Sequence, residues 1–463
     1  MKTKCNLIQI CLLGVILLPA ATSGAQPVTQ VAAGGEHSLF LKGDGSLWAM
    51  GDNYSGALGD GTTDDGNYQT NLPEQILAGN VVAIAAGGGH SLFLKSNGSL
   101  WAMGENDFGQ LGDGTISNTN SPVEIVSNNV TAIAAGGTHS LFLMSGGSLW
   151  AMGLDNAGQL GDDMRGWTNL PEQIVAGDVT AIAAGGYHSL FLISGGSLWA
   201  MGYDYFGELG DGTYNTNAPY GTDLPEGIVA SGVKAIAAGE YHSLFLKSNG
   251  SLWAMGENQY GQLGDGTYNN TNLPEEIVAS NVTAIAAGAY HSLFLKSDGS
   301  LWGMGLNAYG QLGDGTFSTN APYYGTNLPV EIVASGVTAI APGGAAYHSL
   351  FLKSDGSLWG MGLNESGQLG DGTDNVDTNL PELIVPGPPG YNQISVQLLS
   401  GRNASLSYAG IAGTNYVLDR TFSLAPPNWV PQVTNSAGAG GVLVFTNTPD
   451  PTTNNFWRVR SLP

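Results

Sequence analysis

The chain holds seven histidines, and each heads nearly the same string of residues. The copy from His90 to Thr115 reads HSLFLKSNGSLWAMGENDFGQLGDGT. The histidines are His37, His90, His139, His188, His242, His291 and His348. A tryptophan follows each one at the same distance: Trp48, Trp101, Trp150, Trp199, Trp253, Trp302 and Trp359. Successive histidines are 49 to 57 residues apart. Self-similarity at that period restricts the fold to a solenoid, a propeller or an array.

Each unit has the same parts. A β-branched run that ends in small residues, such as VTAIAAGG (130–137), precedes HSLFLK. A short turn follows, Ser-Asn-Gly, Ser-Asp-Gly, Gly-Asp-Gly or Ser-Gly-Gly, and then SLWAMG. Asn-Gly and Asp-Gly supply the positive φ angles of tight hairpins, so the flanking runs should pair antiparallel. A longer loop carries GQLGDGT or a variant, and a segment such as NLPEQIL (71–77) closes the unit. Its proline marks a strand start or an edge strand. Four short strands per unit without a helical period predict a β-propeller, and seven units suit a closed ring. Small residues in the first strand fit the crowded centre. Leu, Phe and Trp of the middle strands should fill the space between blades. Propeller rings are often closed by strands from both chain ends, so LPELIV (380–385) is expected in the blade of His37 and Trp48.

The pattern AIAAGxxHSLFLKSDGSLWxMGxNxxGQLGDGT resembles the repeat of the regulator of chromosome condensation family, over about residues 28 to 386. The resemblance implies a seven-bladed propeller that acts by binding other proteins. Known relatives include a nuclear guanine-nucleotide exchange factor, a plant ultraviolet receptor and a secreted bacterial inhibitor of β-lactamases. This chain lacks the basic tail and the Gly-Trp-Arg-His-Thr strings of the first two. The secreted inhibitor is nearest in compartment.

Residues 1–25 read as a secretory signal peptide: Lys2 and Lys4, an apolar run Leu7–Leu18, and Ser23-Gly24-Ala25 as the cleavage site. The run is too short for a membrane span. Both cysteines, Cys5 and Cys11, lie in it, so the exported chain is expected to hold neither thiol nor disulfide. The net charge of −24 opposes binding to nucleic acid and to anionic membranes. Residues 26–386 form the propeller in this reading and 387–393 a Pro/Gly linker. Residues 394–463 carry alternating runs (394–400, 404–410, 414–420, 441–447 and 456–462) that predict a small β-sandwich-like domain. The fold class is all-β throughout.

The repetition also bears on chemistry. A catalytic group is needed once, with its partners gathered around one substrate. Seven equivalent histidines point to architecture, each imidazole bonding backbone where the chain enters the second strand. One histidine per blade also spreads the nitrogens too widely for a shared metal. The tryptophans read as core. GQLGDGT lacks the lysine and the following helix of a P-loop, and no G-x-S-x-G elbow occurs. Asp371, Asp374 and Asp377 do not have EF-hand spacing and read as turn residues. No cofactor or metal is expected.

Function should therefore lie in loops that vary on a constant scaffold. The residue before each histidine is Glu36, Gly89, Thr138, Tyr187, Tyr241, Tyr290 and Tyr347 in turn. Before GQLG or its variant come Ser55, Phe108, Ala157, Phe206, Tyr260, Tyr309 and Ser366. In a four-stranded blade these two loops share one face. Tyr187, Tyr241, Tyr290, Tyr347, Phe206, Tyr260 and Tyr309 are thus the candidate binding residues, on one arc. For Phe206, Tyr260 and Tyr309 the competing expectation is packing between blades. The function expected is an exported, non-enzymatic binding scaffold for a protein outside the cytoplasm, secreted or at the cell surface. The alternatives are a carbohydrate-binding or cell-surface structural module, an enzyme inhibitor, and a hydrolase with a dispersed site in the central channel.

Overall fold

The computed structural model describes residues 26–64, 70–218, 220–319, 324–341 and 343–388, then Tyr391 and the strands of the C-terminal region with Gly410 and Ile411. The expected signal peptide and most of the linker lie outside the described residues. Among the described residues the structure is all-β, without a helix.

Seven antiparallel four-stranded sheets follow one another along the chain, each in the order first–second–third–fourth. The first blade is Val28–Ala33, His37–Lys42, Leu47–Gly51 and Thr70–Leu77. The others span Val81–Val126, Val130–Val175, Val179–Val229, Val233–Val278, Val282–Val333 and Val337–Val385. The alternation of HSLFLK explains the packing. Leu39 and Leu41 point to one side of their blade and meet Phe93 and Met103 of the next. Phe40 and Met50 point to the other and meet Leu350, Leu352 and Leu358 of the seventh. The third-strand tryptophan of each blade is half-buried and stacks on the phenylalanine paired with it, as Trp48 on Phe40 at 5.9 Å and 11°. Its indole N–H donates to the serine two residues earlier. In five blades a lysine Nζ lies 3.6–3.9 Å from the indole centre, a cation–π contact at the end of the second strand.

The ring closes differently from the expectation. Thr378–Val385, which contains LPELIV, pairs with Leu358–Gly362 of its own blade, and the blade of His37 is built wholly from residues 28–77. No strand is exchanged. The physical reason is that every junction carries the same bonds, so the last needs no special device. The leading valine of each blade donates its amide to the hairpin glycine of the previous blade. Val81 N reaches Gly45 O at 3.1 Å, and Val28 N reaches Gly356 O at 3.0 Å across the closure. The GDG loop donates to the fourth strand of the next blade, as Gly61 N to Asn120 O and, at the closure, Gly372 N to Asn71 O, both 2.8 Å.

The histidines supply a third set, and here too the expectation is corrected. Their bond is to a side chain in the next blade rather than to backbone. His37 Nε2 lies 2.9 Å from Ser91 Oγ, and the pairs His90–Ser140, His139–Ser189, His188–Ser243, His242–Ser292 and His291–Ser349 repeat it. His348–Ser38 completes the circle.

The C-terminal region adds two three-stranded antiparallel sheets that share an apolar cluster including Leu406, Tyr416, Leu418 and Phe445. Its described residues form six strands rather than the five expected. The sixth, Val430–Ser436, is an edge strand, where Pro431 removes no needed ladder bond.

Candidate functional site: an aromatic face on an acidic propeller

Two loops of each blade meet on one face, and backbone bonds fix how. The carbonyl of the residue before each histidine accepts the amide of the residue that follows the third-strand glycine. Tyr203 N donates to Tyr187 O at 2.9 Å, Glu257 N to Tyr241 O at 2.8 Å, and Leu306 N to Tyr290 O at 2.8 Å. The intervening glycine cannot carry a side chain. At Gly256 φ is +106°, and a Cβ would lie 2.6 Å from Tyr241 O. Strand ends are thereby drawn together, and the varied residues stand side by side above an invariant base.

Four tyrosines run across four blades in one line. Ring centres are 5.7 Å apart for Tyr187–Tyr241, 6.2 Å for Tyr241–Tyr290 and 5.8 Å for Tyr290–Tyr347. Each is half-buried. The aromatic before GQLG in one blade packs edge-on against the tyrosine of the next: Phe206 on Tyr241 at 5.4 Å, Tyr260 on Tyr290 at 5.2 Å, Tyr309 on Tyr347 at 5.7 Å. Phe206, Tyr260 and Tyr309 thus bridge blades and still reach the surface. The arc stops at the seventh blade. There Ser366 Oγ donates to Glu36 Oε2 at 2.8 Å, where the three junctions between the fourth and seventh blades have an aromatic pair.

The structure adds residues that sequence reasoning missed. Tyr203 is a hub, in ring contact with Tyr187, Tyr205, Phe206, Tyr220 and Tyr241. Tyr260, Tyr290, Tyr309, Tyr347 and the exposed Tyr324 wall a cavity of about 350 Å³ with Leu306 and Ala308. The missed signal was a third varied position, the residue after SLWAMG or SLWGMG. It is Asp52, Glu105, Leu154, Tyr203, Glu257, Leu306 and Leu363 in turn.

Acids lie under and beside the rings. Burial pushes the Glu240 and Glu257 carboxyls up to about 7. Their negative charge, added to burial, raises the phenols of Tyr241 and Tyr290, and Tyr347 is pushed up to about 12. Three further acids replace amides of the repeat. Asp155 and Asp204 stand where Asn53, Asn106, Asn258, Asn307 and Asn364 stand in the other units. Glu208 stands where five other units have glutamine. Asp155 and Asp204 are raised to about 7 by burial, and Glu208 is raised well above the usual range.

The central channel offers no such chemistry. The residues lining its cavity of about 230 Å³ are alanines, valine, isoleucines and two glycines. Gly343 and Gly344, in the lengthened turn of the seventh unit, cross it. A Cβ at Gly343 would lie 1.8 Å from Ala33 O, and one at Gly344 2.9 Å from Ala238 O. Among the described residues no group of three or more His, Cys, Asp or Glu is placed to hold a metal. Asp371 instead accepts Thr373 N at 2.8 Å, and Asp377 accepts Asn364 N at 2.9 Å.

Residues 9–280 match the profile of the RCC1-like domain. Two further profiles, both of the regulator of chromosome condensation (RCC1) repeat, match residues 282–311 and 337–368, and 298–352 and 355–404. The chain belongs to the RCC1-like domain family. Solved structures share the RCC1-like fold. Prp20p from Saccharomyces cerevisiae is 24% identical over 80% of this chain and 88% of its own, with a TM-score of 0.65. Human WBSCR16 is 22% identical over 79% and 98%, with a TM-score of 0.63. Yeast RCC1 (Prp20) bound to Kap60 gives 22% over 84% and 93%, and 0.64. Prp20p was described together with its binding to Gsp1p and histones.

Proposed function

We propose that this RCC1-like propeller is an exported, non-enzymatic scaffold that binds another protein through its aromatic face. The observation that carries the reading is the unbroken line Tyr187–Tyr241–Tyr290–Tyr347, braced edge-on by Phe206, Tyr260 and Tyr309. Such rings present large apolar area with few rotors, which is the profile of interface anchors. The scaffold beneath them is stapled at every junction, so little order is lost on binding. Binding of Gsp1p and histones by Prp20p supports a protein ligand for the same fold.

The experiment is capture from culture supernatant, followed by affinity measurement with the identified partner. Tyr241→Ala with Tyr290→Ala should weaken that partner by about 2 kcal/mol or more while the fold survives. Matched substitutions at Thr138 and Glu36 should matter less. Signal on a glycan array without any protein partner favours the carbohydrate-binding alternative.

A further inference from the structure

We propose that the cavity walled by Tyr260, Tyr290, Tyr309, Tyr324 and Tyr347 seats an arginine side chain of the bound protein. The inference rests on the reading of the aromatic face as a protein-docking surface and names the chemistry of the group it takes.

Tyr260 stands at 74° to Tyr290, and Tyr309 at 88° to Tyr347, with Tyr290 and Tyr347 inclined at 50°. Rings so crossed present both faces and edges to one space. A flat guanidinium can lie against a phenol face while its aliphatic stem covers apolar wall.

Glu240 and Glu257 lie close enough to Tyr290 to act on it electrostatically, Glu240 also on Tyr347 and Glu257 also on Tyr260. Glu240 folds over Gly186, its carboxyl carbon 3.2 Å from where a Cβ of that glycine would be. No side-chain donor among the described residues reaches its carboxyl. Glu257 is 4% exposed, and one of its oxygens lies 3.4 Å from Gln262 Nε2. Glu257 is buried and Glu240 half-buried, neither is paired with a cation, and desolvation holds both above the usual carboxylate range.

The described lysines of the propeller are elsewhere. Lys42, Lys95, Lys247, Lys296 and Lys353 end second strands, on the opposite face, and lie over tryptophans. Lys234 opens its blade on that same opposite face. Arg165 is on the aromatic face but is paired with Asp223. The face therefore offers acid and aromatic surface with no free base among its described residues. A guanidinium answers both features, through stacking and a fork of N–H donors to carboxylates. A lysine ammonium is more strongly hydrated and has no planar face to stack. A neutral sugar leaves the acids uncompensated.

The test uses two small probes with the whole chain, acetyl-Gly-Arg-Gly-amide and the same peptide with neutral citrulline, followed by NMR titration. The arginine peptide should bind at least about tenfold more tightly than the citrulline peptide. Tyr290→Ala with Tyr347→Ala should lose that binding, and Tyr290→Phe with Tyr347→Phe should keep it. Glu240→Gln with Glu257→Gln should narrow the difference between the peptides. Equal affinity for the two peptides, absence of binding by either, or arginine binding untouched by the alanine pair overturns the assignment. A lysine peptide that outcompetes the arginine peptide overturns it too. If the probes fail while Tyr241→Ala with Tyr290→Ala still releases the protein partner, the docking face stands and only the arginine is wrong.

Discussion

His348 Nε2 lies 2.7 Å from Ser38 Oγ, although 310 residues separate them. The serine hydroxyl has one proton, and it donates that proton to Gln368 O at 2.7 Å. The hydroxyl must then accept from the imidazole, which fixes the Nε2–H tautomer. The same logic holds at Ser91, which donates to Ala57 O while meeting His37, and at Ser189, which donates to Gln159 O while meeting His139. The closure is thus one more copy of an internal junction. His139→Ala should cost about 1–3 kcal/mol by leaving Ser189 Oγ without its donor. Ser38→Ala should cost about as much as Ser189→Ala. Double-mutant cycles in denaturant check both. A Ser38–His348 coupling far larger than that of Ser189–His139 contradicts the equivalence of junctions.

Acid should unfold the ring steeply. Burial lowers the histidines from 6.5 to about 4 at His37 and His139, and to about 3 at His90, His188, His242, His291 and His348. Nδ1 has no hydrogen-bond partner at six of the seven, so a second proton would put an uncompensated charge in the core. With the folded value below the unfolded one, this stability is present above pH 6.5 and is lost as pH falls through 4 to 3. Asp155, Asp204, Glu240 and Glu257, raised to about 7, act oppositely. Their stability is present below the ordinary carboxyl range and lost as pH rises through 7. The two sets oppose each other between about pH 4.5 and 6.5, and below that the histidines decide. Calorimetry from pH 3 to 8 should show a shallow curve and then a collapse below about pH 4.5. Absence of that steepening contradicts buried neutral histidines.

Restoring the amides of the repeat should stabilise the protein in base. Glu208 Oε2 accepts Phe206 N at 2.9 Å, as Gln110 Oε1 accepts Phe108 N at 3.0 Å, so glutamine fits the site. Glu208 Oε1 is buried without a partner. Its folded value is raised, so stability is lost as pH rises. Glu208→Gln should gain about 1–3 kcal/mol at pH 8 and little at pH 5. Equal gains at both pH values would mean that ionisation is not the cause.

Chelator should leave the melting temperature unchanged. The Asp371 and Asp377 carboxylates are already capping their own loop through Thr373 and Asn364. A large drop with chelator would return the loop to consideration as a calcium site.

The sequence made the blades legible because each unit repeats the same alternation and the same turn. Leu-Phe-Leu decides which side each residue takes, and Ser-Asn-Gly decides where the chain reverses. What lay between units was harder to read. The serine after each histidine is visible, but its bond runs to the histidine of the preceding blade, which no pattern within one unit reveals. The same blindness misplaced LPELIV, since equivalence of the last junction depends on contacts between chain ends. At the face, the two loop positions were legible as variable residues. Tyr203, Glu257 and Leu306 were missed because they adjoin the invariant glycine, where variation looks like a strand end. The two glycines that cross the channel showed only as a longer step in the seventh unit.

The central claim is that the aromatic arc is where this propeller meets its partner. The most direct measurement is the affinity of the captured partner for the Tyr241→Ala, Tyr290→Ala variant beside that for Thr138→Ala, Glu36→Ala, with the melting temperature of each. The expected result is about a thirtyfold or greater loss for the tyrosine pair, little loss for the other, and folded protein in both cases. Equal losses for the two pairs, or no loss for either, contradict the claim.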